Sequence, residues 1–153
     1  MSQIDEHIWV GSSQDSANMQ FLQDRGIEHI ICCAEEYAYP PGFLYISQKT
    51  NQWHRVPIHD NVANELTETQ FKDSAAKLNE WITQGKNVLV HCHEGKSRSV
   101  SAVIAYFMIY KDWSFDIAFW HIKRKRPIMN PYREYIPILM AIGAKEPYTF
   151  LER

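Results

Sequence analysis

Hydrophobic positions along this chain alternate between strand-like and helix-like spacing, with glycine, proline or polar breaks between the switches. His7 to Val10 is a short β-prone run that stops at Gly11. Gln14 to Asp24 has helical spacing and stops before Gly26. Glu28 to Cys33, with Ile30 and Ile31 at its centre, reads as a buried strand. Pro40-Pro41-Gly42 marks a loop, and Phe43 to Ser47 is a strand candidate. Trp53 to Ile58 is another, with Val56 and Ile58 on one face. A polar loop from His59 to Asn64 leads to a long helix opened by Thr67. Phe71, Ala75, Leu78 and Ile82 form its apolar face, and Gly85 ends it. Asn87-Val88-Leu89-Val90 is a strand, followed by helical segments at Ser99–Tyr110, Ser114–Lys125 and Pro131–Ile142. Strands interleaved with helices, then a run of helices, predict an α/β fold with a central mixed β-sheet flanked by helices. No linker or internal repeat divides the chain, so residues 1–153 are expected to form a single domain.

The residues that carry chemistry follow the Asn87–Val90 strand: His91-Cys92-His93-Glu94-Gly95-Lys96-Ser97-Arg98-Ser99. A loop between a strand and a helix can turn its backbone N–H groups inward around an anion, and the helix N-terminus adds its own. Arg98 offers a planar fork suited to phosphate oxygens. Cys92 lies at the mouth of that positive cradle, where the nucleophilic thiolate form is favoured. Gly95-Lys96-Ser97 spells the end of a nucleotide-binding phosphate loop, but the glycine required upstream falls at Val90, so the nucleotide reading fails.

Cys92 and Arg98 with five residues between them, together with His91, Gly95 and Ser99, resemble the signature of the protein-tyrosine phosphatase superfamily. Gly95 with Ser97-Arg98-Ser99 is most similar to the dual-specificity phosphatases. Ile8-Trp9-Val10-Gly11-Ser12 resembles that family's opening strand, Gly26 to Ile31 its second, and Arg126-Pro127-x-x-Asn130-Pro131 its late loop. The resemblance implies a protein-tyrosine phosphatase-like (dual-specificity phosphatase) catalytic domain over the whole chain. It also implies hydrolysis of phosphotyrosine and of phosphoserine or phosphothreonine through a phosphocysteine, with no metal and no other cofactor.

The resemblance also implies roles. Cys92 is the nucleophile, and His93, Glu94, Gly95, Lys96, Ser97 and Arg98 form the phosphate-binding loop. Gly95 supplies a backbone conformation closed to other residues. Ser97 and Lys96 contribute N–H groups whatever their side chains do. Asp60, at the end of the Trp53–Ile58 run, is the expected general acid, with Glu65 next in line and Asp73 disfavoured by its place in a helix; otherwise Asp60 caps a turn. Ser99 resembles the hydroxyl that stabilises the departing thiolate, or is an ordinary residue at a helix start. His91 resembles the residue that shapes the loop and supports the thiolate, and it can equally be a buried donor to a carbonyl. Asn130 resembles the brace of the phosphate loop, though it also suits a helix cap. Glu94 should face outward, toward a nearby Arg. Adjacent strand residues face opposite sides, so at most one of Cys32 and Cys33 points at the site. Cys33 resembles a redox partner for Cys92; the plain alternative is a pair of small buried residues.

Composition narrows the partners. A net charge of −2 gives no case for nucleic acid, and 45% hydrophobic residues suit a globular chain. Phosphorylated proteins rank above phosphoinositides as substrates, because Glu94 cancels part of the charge of Lys96 and His93. Lys123-Arg124-Lys125-Arg126 is the one basic run: by default a solvated helix end, more sharply a docking patch. Trp9, Trp53, Trp81, Trp113 and Trp120 are expected at core and edge positions. No integral membrane segment, signal peptide or prenylation Cys is evident, and Ser2 stands where myristoylation would need glycine. The cysteine count of three is odd, which argues against a disulfide framework. A monomer in the cytoplasm is expected, with the nucleus as the alternative. A phosphoprotein-binding module without turnover would usually lose Cys92 or the acid, and an arsenate- or sulfur-handling enzyme fits Asp60 and Asn130 poorly.

Overall fold

The computed structural model describes residues 1–38 and 52–151, with side chains as far as Gly143. Among the described residues, five strands pair in the order β1 (Ser2–Asp5), β2 (Ile8–Gly11), β5 (Asn87–His91), β3 (Ile27–Cys32) and β4 (Trp53–Arg55). β1 runs antiparallel to β2 and all other pairs are parallel, so the sheet is mixed as expected. β5 lies at the centre, and its carboxyl end opens between the ends of β2 and β3.

Strand alternation divides the core. Val88 and Val90 of β5, with Ile8 and Val10 of β2, face the main core, while Leu89 and Trp9 face a smaller cluster with Leu22, Ile27 and Ile30. The short helix α1 (Ser13–Ala17) follows β2, and α2 (Met19–Asp24) places Leu22 in the small cluster. The main core is covered by α3 (Thr67–Thr83), α4 (Arg98–Tyr110), α5 (Phe115–Lys125) and α6 (Tyr135–Leu151). α4 is buried continuously from Arg98 to Met108, so its apolar stretch reads as a central helix rather than an amphipathic one. Each fully buried Ile, Val or Phe of this layer contributes about 2 kcal/mol.

Several elements depart from the expected bounds for local reasons. The helical run Gln14–Asp24 breaks at Asn18, whose side chain accepts from Phe21 N and starts a new helix. β1 has no counterpart in the sequence pattern, because its one fully buried residue, Ile4, leaves no alternation to read. β4 stops at Arg55 instead of reaching Ile58, since Pro57 cannot donate to a ladder. Val56 and Ile58 are nevertheless both buried. The last helix begins at Tyr135 rather than Pro131, because the chain before it is bonded to the loop after β5. The Pro40–Gly42 loop and the Phe43–Ser47 strand candidate lie outside the described residues.

Candidate active site

The loop from Cys92 to Ser97 joins β5 to α4, and its carbonyls are held from outside. His93 O accepts from Ser13 N at 3.0 Å, Gly95 O from Arg126 Nε at 2.7 Å, and Lys96 O from Asn130 N at 2.8 Å. A longer bond of 3.4 Å runs from Arg126 Nη2 to Glu94 O. In a planar trans peptide the next N–H points opposite the carbonyl. With four successive carbonyls turned outward, the N–H groups of Glu94, Gly95, Lys96 and Ser97 face the cleft. Gly95 has φ 71°, and a Cβ there would stand 2.5 Å from Gly11 O and 2.6 Å from Arg126 Nη2, so only glycine closes this turn.

The cleft over the loop has a volume of about 410 Å³ and is lined by Cys92, His93, Glu94, Lys96, Ser97, Arg98, Asp60, Asn61 and Asn130. Cys92 Sγ lies at its floor, 3.2 Å from Ser99 Oγ on the first turn of α4. Arg98 is only 2% exposed. Its Nη1 donates to Glu36 Oε1 at 2.7 Å and to Ile58 O at 3.0 Å, and its Nη2 donates to Glu36 Oε2 at 2.8 Å. Of the five guanidinium donors, those bonds occupy both on Nη1 and one on Nη2. The Nε–H and the second Nη2–H remain as a parallel fork, with Asp60 Oδ1 3.5 Å from Nε. That edge matches two oxygens of a phosphate.

Electrostatics around Arg98 agree with a permanent cation. Burial alone would lower its pKa, but the Glu36 hydrogen bonds together with the negative charges of Cys92, Glu36 and Asp60 outweigh that and raise it. Reciprocally, the Arg98 bond holds the Glu36 carboxyl down at about 2. His91 is fully buried, and burial pushes its pKa down to about 4. Its Nδ1 lies 3.0 Å from Cys92 O. A carbonyl only accepts, so the proton sits on Nδ1. His91 therefore shapes the loop as a neutral donor, and positive charge at the sulfur comes from Arg98 and the loop amides.

Other expected residues fall into place with corrections. Glu94 does face outward, but it pairs with Lys96 at 3.4 Å rather than with an arginine. His93 Nδ1 is 2.6 Å from Tyr37 Oη, and the two rings stack. The Ser97 side chain is not passive: its Oγ accepts from Tyr132 N at 2.8 Å. Asn130 braces the loop through its backbone N–H. Asp73 lies in α3 and pairs with His54 at 3.1 Å, and Glu65 is absent from the cleft lining. Cys33 lies just beyond β3, where strand alternation lapses, so Cys32 and Cys33 both pack in the main core. Cys33 N donates to His91 O at 2.8 Å, and its sulfur is 3.8 Å from Ser74 Oγ. All three thiols are free, and burial pushes Cys33 well up and Cys32 to about 11.

Two supports were not legible as such. Glu36 follows the Ala34-Glu35 pair after β3, and nothing local marks it as the partner of Arg98. Arg126 belongs to the basic run, where a solvated helix end is the default; instead it is buried and also bonds Ser2 Oγ at 2.9 Å. Lys123 Nζ holds Pro127 O and Met129 O at 2.8 and 3.0 Å, and Lys125 Nζ bonds Ile4 O at 3.3 Å. Most of the run thus ties backbone together. Among the described residues, no helix is long and apolar enough to cross a membrane. No group of three or more His, Cys, Asp or Glu there is placed to hold a metal ion.

The sequence matches the family model "Dual specificity phosphatase, catalytic domain" over residues 8–145. It is 31% identical over 148 residues to human protein phosphatase Slingshot homolog 2, covering 92% of this chain and 10% of that protein. It is 32% identical over 137 residues to dual specificity protein phosphatase 1 of Arabidopsis thaliana, covering 88% of this chain and 65% of that protein. The chain thus spans between a tenth and two thirds of the length of these relatives. Human DUSP28 shares the fold with a TM-score of 0.82 at 21% identity, over 95% of this chain and 94% of that one. A phosphate-shaped loop with a cysteine at its floor and this match over most of the chain lead to one conclusion: the chain belongs to the dual-specificity phosphatase catalytic-domain family.

Proposed function

We propose that this chain is a single catalytic domain that hydrolyses phosphotyrosine and phosphoserine or phosphothreonine in proteins. The observation that carries it is the convergence of Cys92, backed by Ser99, with Asp60 and the open Arg98 fork on one cleft. The relatives' names, protein phosphatase and dual specificity protein phosphatase, support the same chemistry.

In the first step the Cys92 thiolate attacks phosphorus while the inward N–H groups and Arg98 hold the three equatorial oxygens. The bond from phosphorus to the leaving oxygen breaks, and Asp60 gives that oxygen its proton. In the second step the Asp60 carboxylate takes a proton from water as the water oxygen attacks phosphorus. The S–P bond breaks, Ser99 Oγ donates to the departing thiolate, and inorganic phosphate leaves. Protein substrates are favoured over phosphoinositides because Glu94 pairs with the one Lys at the cleft rim. We read the chain as a monomer of the cytoplasm or nucleus.

Para-nitrophenyl phosphate hydrolysis in the presence of a chelator tests the mechanism. Turnover by reduced wild type, its loss in Cys92→Ser, and phosphate trapped on the wild-type cysteine after quenching are expected. No turnover by reduced protein would indicate phosphoprotein binding without catalysis, and reductant-dependent arsenate reduction the sulfur-type rival. A reversible disulfide with Cys33 is a regulatory reading favoured by the Cys33–His91 backbone bond. Peroxide would oxidise Cys92 to a sulfenic acid, and Cys33 would then displace water to form the S–S bond. Peptide mapping after mild peroxide that finds no Cys33–Cys92 linkage would remove it.

A further inference from the structure

Asp60 has no rigid side-chain anchor of its own: it is 57% exposed and stands 3.5 Å from Arg98 Nε. The next residue, Asn61, has φ 53°, in the left-handed region that side chains adopt reluctantly. The turn is instead gripped by its backbone, one carbonyl after another. Pro57 O accepts from Gln70 Nε2 of α3 at 3.0 Å, and Ile58 O from Arg98 of α4 at 3.0 Å. His59 O accepts from Tyr135 Oη of α6 at 2.9 Å. Tyr135 reaches furthest along the turn, to the residue that adjoins Asp60.

The ring of Tyr135 is fully buried, edge-on to Phe71 at 5.2 Å and to Tyr132 at 5.1 Å between centroids. A phenylalanine would satisfy that packing as well. The hydroxyl is the part of the side chain that packing does not require, and a buried hydroxyl is costly unless bonded. Burial pushes the phenol up to about 12, so it keeps its proton and donates to His59 O throughout the neutral range.

We propose that Tyr135 is a positioning residue for proton transfer: its hydroxyl fixes the Asp60 turn over the Cys92 cleft before substrate arrives. This rests on the assignment of Asp60 as the general acid. The consequence is selective. A proton donor matters little when the leaving oxygen is a stable phenolate and greatly when it is an alkoxide or a basic phenolate. Loosening the turn should therefore steepen the dependence of rate on leaving-group pKa while leaving phosphate binding, made by Arg98 and the loop amides, in place.

The test is kcat/KM across aryl phosphates of graded leaving-group pKa, together with a phosphoserine peptide, for wild type, Tyr135→Phe, Asp60→Asn and the double variant. For Tyr135→Phe we expect near-normal rates with the most acidic phenols, a loss of roughly ten- to a hundredfold with the most basic, and an unchanged phosphate inhibition constant. In the Asp60→Asn background the same change should add nothing. A Tyr135→Phe slope equal to wild type, with Asp60→Asn steep, overturns the positioning role alone. A flat Asp60→Asn slope overturns the acid assignment and with it this role. A uniform loss across all leaving groups, tracking a lower melting temperature, assigns the hydroxyl to stability only and also overturns the proposal.

Discussion

The two halves of the cleft are built in opposite ways. The loop from Cys92 to Ser97 is contiguous in sequence, its carbonyls are held outward, and its central glycine touches Gly11. The turn carrying Asp60 contributes one exposed carboxyl, held by three carbonyl contacts from α3, α4 and α6. The difference follows from what each must do. A dianion is recognised by many fixed dipoles, which have to be aimed before it arrives. A proton is delivered by one group that must also exchange with water, so it stays exposed and only its backbone is fixed. Arg98 joins the halves, because Nη1 holds Ile58 O while the opposite edge faces the cleft.

Variants should separate the halves by the kind of loss as well as its size. Cys92→Ser removes the nucleophile and should lower turnover by roughly a millionfold for every substrate, read from single-turnover rates. Its phosphate affinity should persist in calorimetry, and loss of that affinity would show that the sulfur shapes the cradle. On the other side, Asp60→Asn should cost about a hundred- to ten-thousandfold with basic leaving groups and much less with para-nitrophenyl phosphate. A uniform loss would erase the contrast. Arg126→Met leaves the carbonyls of Gly95 and Glu94 without their buried donor. It should weaken phosphate inhibition by about tenfold or more, because a buried acceptor loses its partner. An unchanged inhibition constant would mean the loop holds its shape unaided.

The smallest effect concerns pH. His91 and Glu36 both have folded pKa values below their ordinary values, so each favours the folded state at high pH and loses that contribution as pH falls. For His91 the loss runs from 6.5 toward about 4, and for Glu36 from 4.5 toward about 2. Urea midpoints should drop across the first window in wild type and flatten in His91→Gln; Glu36→Gln should flatten the second. Glu36 is partly exposed, so its share is reduced by solvent screening. A wild-type curve flat from pH 7 to 4 would contradict a buried, neutral His91.

What could be read in the sequence follows the same division. The phosphate loop is local: Cys92, Gly95, Arg98 and Ser99 lie within one turn of chain, and their chemistry is written by residue type. The fold was legible where periodicity is strong, as in α3 and β5, and blurred where one residue decides, as at Asn18 and Pro57. β1 was illegible because a lone Ile4 makes no pattern. The supports were hidden for another reason. Glu36, Arg126 and Tyr135 act across the fold on Arg98, Gly95 and His59, and their neighbours in sequence advertise other roles. Arg126 reads as part of a charged helix end, and nothing in the sequence singles out Tyr135.

The phosphate loop also touches segments far from it in sequence on both sides. Gly11 and Ser13 meet it from one side, while Arg126, Asn130 and Tyr132 meet it from the other. No isolated fragment around Cys92 could hold those carbonyls outward, however faithfully it kept the motif. Contacts between distant parts of a chain form late, because the loops that join them must close first. Catalytic competence should therefore be the last property regained on refolding, trailing the helical signal, and turnover would then report that the end of β2, the start of α1 and the segment before α6 have docked.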